Sequence, residues 1–374
     1  MHVVTRSTLV AIALAALPAG AAMAQTSTTV GPYVPPGTGM SSGVPWTTVD
    51  LGTCSMATGT ATVNGSYAGC NNEGVGSPLV AVSAFGQVWA AGAGPYDPSQ
   101  AEAFIEPIAL TSTTVSPTVG KTLTGFTAPR AGVVGGSYMW LAGSTAQGSN
   151  GVIKAMAVGV DSTGTVRKRY AASSGAVGAG GLSIAYGTSK VWVGDALGRV
   201  YALSPSSGKL LMTIKTASPH GLAVSGSTLW VTNPSARTVK VFNTSSGAQR
   251  TSITVTGAPN AVVVTGGSVW VFTQKYLYRY SPSSLKQTGR YAAPPSGSGW
   301  LGAAAGPGGI WASNYVAQIV RFNTSTLTFD VNATWSNSNI AGPLASAGGS
   351  LWVPNTGSSP SPVGHSVTRF TPVS

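Results

Sequence analysis

The sequence predicts an all-β fold, a seven-bladed β-propeller of four-stranded antiparallel blades whose ring is closed by an N-terminal strand. Composition is the first reason. The chain has 374 residues, with 50 Gly and 24 Pro, and only 7% of it is charged, against roughly 25% in a typical soluble protein. Glycine, threonine, serine and valine in place of lysine and glutamate favour short strands and turns over helices. The hydrophobic fraction of 43% is enough for a large core. The second reason is a phrase that recurs: a turn of small residues, an apolar residue, then Trp. It places Trp89, Trp140, Trp192, Trp230, Trp270, Trp311 and Trp352 at separations of 51, 52, 38, 40, 41 and 41 residues. The third reason is what surrounds each copy.

An all-apolar run precedes the Trp phrase, as in Gly221-Leu222-Ala223-Val224 and Ala261-Val262-Val263-Val264. A short run without polar alternation reads as a strand buried on both faces. An alternating run follows, such as Val239-Lys240-Val241-Phe242, and ends in Ser-Pro-Ser-Ser or Asn-Thr-Ser-Ser, a strand entering a tight turn. A more polar run comes last, such as Lys209 to Thr216. Four strands and one indole in a unit of about 40 residues make a propeller blade. The seventh copy ends at Ser374 after its third strand, so the alternating stretch from Val44 to Leu51 is expected to supply the missing outer strand. That pairing would cover two open sheet edges.

The first 24 residues read as an export signal. Arg6 is the positive end, Leu9 to Leu17 the apolar run, and Ala22-Met23-Ala24 the small residues that precede cleavage before Gln25. The apolar run is too short for a permanent anchor. Residues 25–43 read as a flexible leader, 44–76 as the closing strand with a disulfide loop, and 77–374 as the blades, the whole of 44–374 being one domain. The expected location is the periplasm or the extracellular space. Cys54 and Cys70, the two cysteines, are expected to form one disulfide there.

The net charge of +12 comes from 20 basic and 8 acidic residues. The basic residues are scattered, with one cluster at Arg167-Lys168-Arg169, and lack the patch interleaved with aromatics that nucleic-acid binding requires. Eight carboxylates leave few groups whose protonation unfolds a protein, which points to tolerance of low external pH. Arg279, Arg321 and Arg369 hold equivalent third-strand positions, where hydrogen bonds between blades or to turns are expected. No Gly-x-Ser-x-Gly elbow, phosphate loop or metal-ligand cluster appears.

The repeat register selects candidate site residues. His220, Asn260, Trp300 and Ile340 recur every 40 residues where innermost strands begin. Three residues beyond successive tryptophans stand Asp195, Asn233, Thr273, Asn314 and Asn355. Because the second strand runs back along the first, both sets belong to one mouth of the central channel. One reading is a polar pocket with Trp300 as an aromatic platform, suited to a neutral glycan, a peptide or a small organic ligand. The other is that the Asn and Asp side chains hydrogen-bond their own turns.

Pro219-His220-Gly221-Leu222-Ala223-Val224, Ser227-Thr228-Leu229-Trp230-Val231 and Val239-Lys240-Val241-Phe242 resemble the repeat of the virginiamycin B lyase (streptogramin lyase) superfamily, over roughly residues 77–374. The resemblance implies a seven-bladed propeller. It also implies a lyase that opens a cyclic ester by elimination, using histidine acid/base residues, glutamate and Mg²⁺ at one channel mouth. His220, after Pro219, stands where one catalytic histidine of that family stands. The next blade reads Ala258-Pro259-Asn260 where a second histidine is expected, and no carboxylate lies between Asp195 and Asp330. The sequence therefore favours an exported binding or interaction scaffold, a monomer without cofactor or metal, whose partner is a small neutral ligand, a glycan, a peptide or another exported protein. The alternative is a C–O lyase or lactone hydrolase with His220 as acid/base, for which Mg²⁺ would be the cofactor.

Overall fold

The computed structural model describes residues 46–50, 53–57, 60–64, 78–92, 102–110, 121–147, 151–176, 180–295, 299–314, 318–334, 339–340, 344–356 and 366–370. The signal, the leader and Cys70 lie outside these residues, and so does the expected disulfide. Among the described residues no helix is long and apolar enough to cross a membrane.

The described chain is all β. Strand β1 (Trp46–Asp50) comes first, followed by a separate hairpin of β2 (Thr53–Ala57) and β3 (Thr60–Asn64). Six four-stranded antiparallel sheets follow, each from strands consecutive in the chain. They are β4 (Pro78–Ala84), β5 (Gln87–Gly92), β6 (Ala103–Ile108) and β7 (Lys121–Leu123); then β8 (Phe126–Gly135), β9 (Tyr138–Thr145), β10 (Ala155–Val160) and β11 (Val166–Ala171). The third is β12 (Gly181–Gly187), β13 (Lys190–Asp195), β14 (Arg199–Leu203) and β15 (Leu210–Lys215). The fourth is β16 (Leu222–Ser225), β17 (Thr228–Asn233), β18 (Thr238–Asn243) and β19 (Gln249–Thr254). The fifth is β20 (Pro259–Thr265), β21 (Ser268–Thr273), β22 (Tyr276–Tyr280) and β23 (Gln287–Ala292). The sixth is β24 (Trp300–Gly306), β25 (Gly309–Asn314), β26 (Gln318–Asn323) and β27 (Thr328–Thr334).

The chain is thus a propeller with six four-stranded blades where the tryptophan count predicted seven. The last repeat builds a five-stranded sheet instead, from β28 (Asn339–Ile340), β29 (Ala345–Ala347), β30 (Ser350–Thr356), β31 (Ser366–Phe370) and β1. Its inner run is described as two strands, β28 and β29, both paired with β30. Among the described residues the repeat has no fourth strand of its own, and β1 pairs with β31 from Trp46↔Phe370 to Asp50↔Ser366.

The recurrent phrase is explained by the indoles. Trp140, Trp192, Trp270 and Trp352 each donate Nε1–H to the carbonyl five residues earlier, on Gly135, Gly187, Thr265 and Ala347, at 3.1–3.4 Å. Each ring therefore ties its own strand to the turn that leads into it. The turns before Trp192, Trp270 and Trp352 hold positive φ at both central residues, for example 56° and 66° at Gly266-Gly267, as a two-residue hairpin with a type I′ turn requires. The second strands β17 and β21 are buried along their whole length, whereas the outer strands β19 and β23 alternate. Neighbouring blades meet through these rings: Trp230 lies 5.6 Å from Tyr280, and Trp270 5.4 Å from Phe322. In the last sheet Ala345, Trp352 and Val367 share a core with Ala81, Val88, Ala90 and Ile108 of the first blade.

The third-strand arginines act within their blades and not between them. Arg279, Arg321 and Arg369 sit directly opposite Trp270, Trp311 and Trp352 and cover those rings at 5.3–5.4 Å. Arg279 and Arg369 donate to Ser268 Oγ and Ser350 Oγ, and Arg321 to the Asp330 carboxylate, each at 2.8–2.9 Å.

Candidate functional site

The leading end of each inner strand carries an irregularity at one register. In β4, β12, β20 and β24 a single extra residue interrupts pairing with the second strand: Leu79, Leu182, Asn260 and Leu301. In the fourth blade Thr232 faces two residues at once, accepting from His220 N–H and donating to Gly221 O, both at 3.0 Å. In β8 the interruption is larger, Ala128-Pro129-Arg130, with Ala128 at φ 44°. A bulge bends its strand and re-aims the residue that has no partner. Here the residue before it is buried, as at Gly181, Pro219, Pro259 and Trp300, while Arg130 and His220 are exposed and Leu182, Asn260 and Leu301 half-buried. Proline suits the buried position, having no N–H to leave unsatisfied in the broken ladder.

From the third blade to the sixth, consecutive bulges adjoin. Ser183 Oγ donates to Pro219 O at 3.4 Å. A Cβ on Gly221 would stand 3.1 Å from Asn260 O, and one on Gly299 3.0 Å from Asn260 Nδ2 and 3.3 Å from the exposed Gln274 side chain. His220, Asn260 and the Gly299-Trp300 segment are therefore neighbours, as the sequence register proposed. His220 is exposed, yet the chain around it partly desolvates the imidazole. That partial desolvation lowers its pKa below 6.5, which keeps it neutral at pH 7.

The other candidates point elsewhere. Trp300 is 1% exposed, with its ring edge-on to Phe272 at 5.9 Å. It pairs with Asn314 as Pro259 pairs with Thr273, so it fills the buried position and Leu301 takes the place beside Asn260. It offers no platform for stacking. Asp195 is fully buried and accepts from Arg199 N–H and Tyr201 O–H, both at 2.7 Å. Asn314, equally buried, accepts from Gln318 N–H at 3.0 Å, and Thr273 Oγ1 accepts from Tyr276 N–H at 3.0 Å. These side chains hold the turns between second and third strands, which is the turn-forming alternative. Asn233 is also buried, with Nδ2 3.4 Å from Val231 O. Asn355 and Ile340 are described by backbone pairing alone, with each other and, for Asn355, with Ser366. Tyr278 and Tyr280 are buried and stacked at 6.2 Å, so that strand presents no aromatic stripe to solvent.

Arg130 escaped the sequence register because the first two repeats are ten residues longer than the others. A local signal marks it nonetheless: Pro129-Arg130 repeats the Pro-X step of Pro78-Leu79, Pro219-His220 and Pro259-Asn260. Among the described residues no group of three or more His, Cys, Asp or Glu side chains is placed to hold a metal ion. The residues present do not fit the Mg²⁺ that the resemblance implies, since Asp195 is turned into its own turn and Asn260 stands where a second histidine is expected.

No family model matches the chain, and no curated protein matches it in sequence. Among solved structures it is similar to the WD40 β-propeller domain of Doa1, with a TM-score of 0.59 and 11% identity, covering 79% of this chain and 93% of that one. At that identity the likeness establishes the propeller fold alone.

Proposed function

We propose that the chain is an exported propeller whose last repeat completes the ring as a seventh blade, and that it acts as a binding or interaction scaffold at the mouth around His220 and Asn260. The closed ring is supported by the β1–β31 pairing and by the core that Trp352 shares with the first blade. Export rests on the N-terminal sequence. The observation that carries the binding reading is the bulge register. Blades with different side chains all give up ladder pairing at one point, and the residues released there, exposed at Arg130 and His220 and half-buried at Leu182, Asn260 and Leu301, share a single end of the inner strands. Rigid strands with divergent exposed residues suit recognition. The propeller fold is consistent with a peptide or an exported protein as partner, as well as a glycan or small ligand.

The resemblance supports a second reading, a lyase with His220 as general base, and the neutral, accessible imidazole suits that role. The absent glutamate, second histidine and magnesium set weigh against it. One experiment separates the two. Wild type and the His220→Ala/Asn260→Ala variant are titrated calorimetrically with a hexapeptide library and a panel of neutral oligosaccharides. Both are also assayed for ring opening of a streptogramin B lactone with Mg²⁺. Binding weakened about tenfold or more in the variant, without turnover by either protein, is the expected result. Equal affinity in the two would place the site elsewhere, and Mg²⁺-dependent turnover lost in the variant would establish the lyase.

A further inference from the structure

We infer that the ligand taken at this mouth is a monocarboxylate with an apolar body, seated with its carboxylate toward Arg130, His220 and Asn260 and its body against Leu182 and Leu301. The inference rests on the mouth being the binding site and goes further by naming the chemistry.

Charge is the first argument. Across the inner strands β4, β8, β12, β16, β20, β24, β28 and β29 one charged residue appears, and it is Arg130. It is exposed and makes no ion pair among the described residues. The carboxylates whose side chains are described are committed elsewhere. Asp161 pairs with Arg167 and Asp330 with Arg321. Asp195 is held by Arg199 N–H and Tyr201 O–H, Glu102 accepts from Gly125 N–H, and Glu106 is fully buried on β6. A guanidinium beside apolar side chains acts on an anion more strongly than one surrounded by water alone, and its planar fork matches a carboxylate.

Hydrogen-bond chemistry is the second. The His220 imidazole and the Asn260 carboxamide can both donate, and neither side chain is used in a hydrogen bond within the described structure, unlike the buried Asp195 and Asn314. The third is the surround. In blade order the bulge residues run Arg130, Leu182, His220, Asn260, Leu301, so the polar groups are flanked by half-buried leucines. A small, fully hydrated anion gains nothing from those leucines, whereas an acid with an apolar body covers them.

The test compares acids with their neutral amides, benzoate against benzamide and N-acetylphenylalanine against its amide, by calorimetry on the full mature chain, with acetate as the acid lacking an apolar body. Each acid is expected to bind about tenfold or more tightly than its amide, to lose that margin in Arg130→Gln, and to bind more tightly than acetate. Arg130 is exposed, so its replacement leaves the fold intact, and an unchanged melting temperature checks this. Discrimination by both pairs supports a free acid as ligand, and discrimination by N-acetylphenylalanine alone supports a peptide chain end. Amides bound as well as acids, with both lost in His220→Ala/Asn260→Ala, would overturn the carboxylate and leave the mouth standing. Acids bound unchanged by Arg130→Gln, or no binding of any probe, would overturn the inference whatever the mouth binds.

Discussion

Replacing Trp230 by alanine is expected to lower the unfolding free energy by about 3–5 kcal/mol, with the slope of the urea transition unchanged. The ring is fully buried between the fourth and fifth blades, among Ala223, Val241, Val262, Val269 and Tyr280. An indole buries about 150–250 Å², and at about 25 cal/mol per Å² the transfer contribution alone is several kcal/mol. The substitution also removes the Nε1–H donor to Thr228 Oγ1 at 3.0 Å. The ring sits on strands already paired on both sides, so collapse into the void is restricted and a cavity penalty adds to the transfer loss. Leu211→Ala is the control. Leu211 lies on the outer strand β15 and is 53% exposed, so about 0.5 kcal/mol or less is expected there. A Trp230→Ala cost no larger than that of Leu211→Ala would mean that the indoles do not hold neighbouring blades together.

The second large effect is expected at Asp195. Its carboxylate is fully buried, fixes the β13–β14 turn through Arg199 N–H and orients Tyr201 through its hydroxyl. Tyr201 in turn meets Tyr170 of the preceding blade at 5.4 Å, and Arg199 reaches Ser174 there. Asp195→Ala leaves one buried hydroxyl and one turn N–H without their acceptor, a loss of about 2–4 kcal/mol. Ligand affinity at the mouth is expected to be unchanged once the variant is folded. Chemical denaturation reads the first effect and calorimetric titration the second. A variant of wild-type stability that binds weakly would return Asp195 to the site.

The same residue shows what the sequence could and could not disclose. The strand order and the tryptophan phrase were legible because every repeat states them again, each with the same turn and the same apolar spacing. The last repeat was harder. The pairing of β1 with β31 was readable from the repeat pattern, whereas the two-part inner run of β28 and β29 was not. Trp300 was assigned to the mouth by a 40-residue count from Asn260, yet the tryptophans of those two repeats lie 41 apart. The ladder settles the difference: Trp300 pairs with Asn314, and Leu301 is the bulged residue. A spacing cannot show which of two adjacent residues leaves the ladder, because that depends on which one the neighbouring blade buries. For Asp195 and Asn314 the sequence offered a pocket or a turn, and burial together with the N–H donors four residues on decides for the turn.

The central claim is that one shared bulge register sets His220 and Asn260 side by side at an open mouth. Thiol bridging tests it most directly. Cysteines introduced by His220→Cys and Asn260→Cys are treated with a short bifunctional thiol reagent, and the bridged peptide is sought by mass spectrometry. The pair His220→Cys with Ala261→Cys serves as the comparison, since Ala261 is the next residue along and is 5% exposed. Rapid bridging of 220 to 260 and none of 220 to 261 is the predicted result. Bridging of 220 to 261 in preference to 260 would contradict the register and with it the mouth.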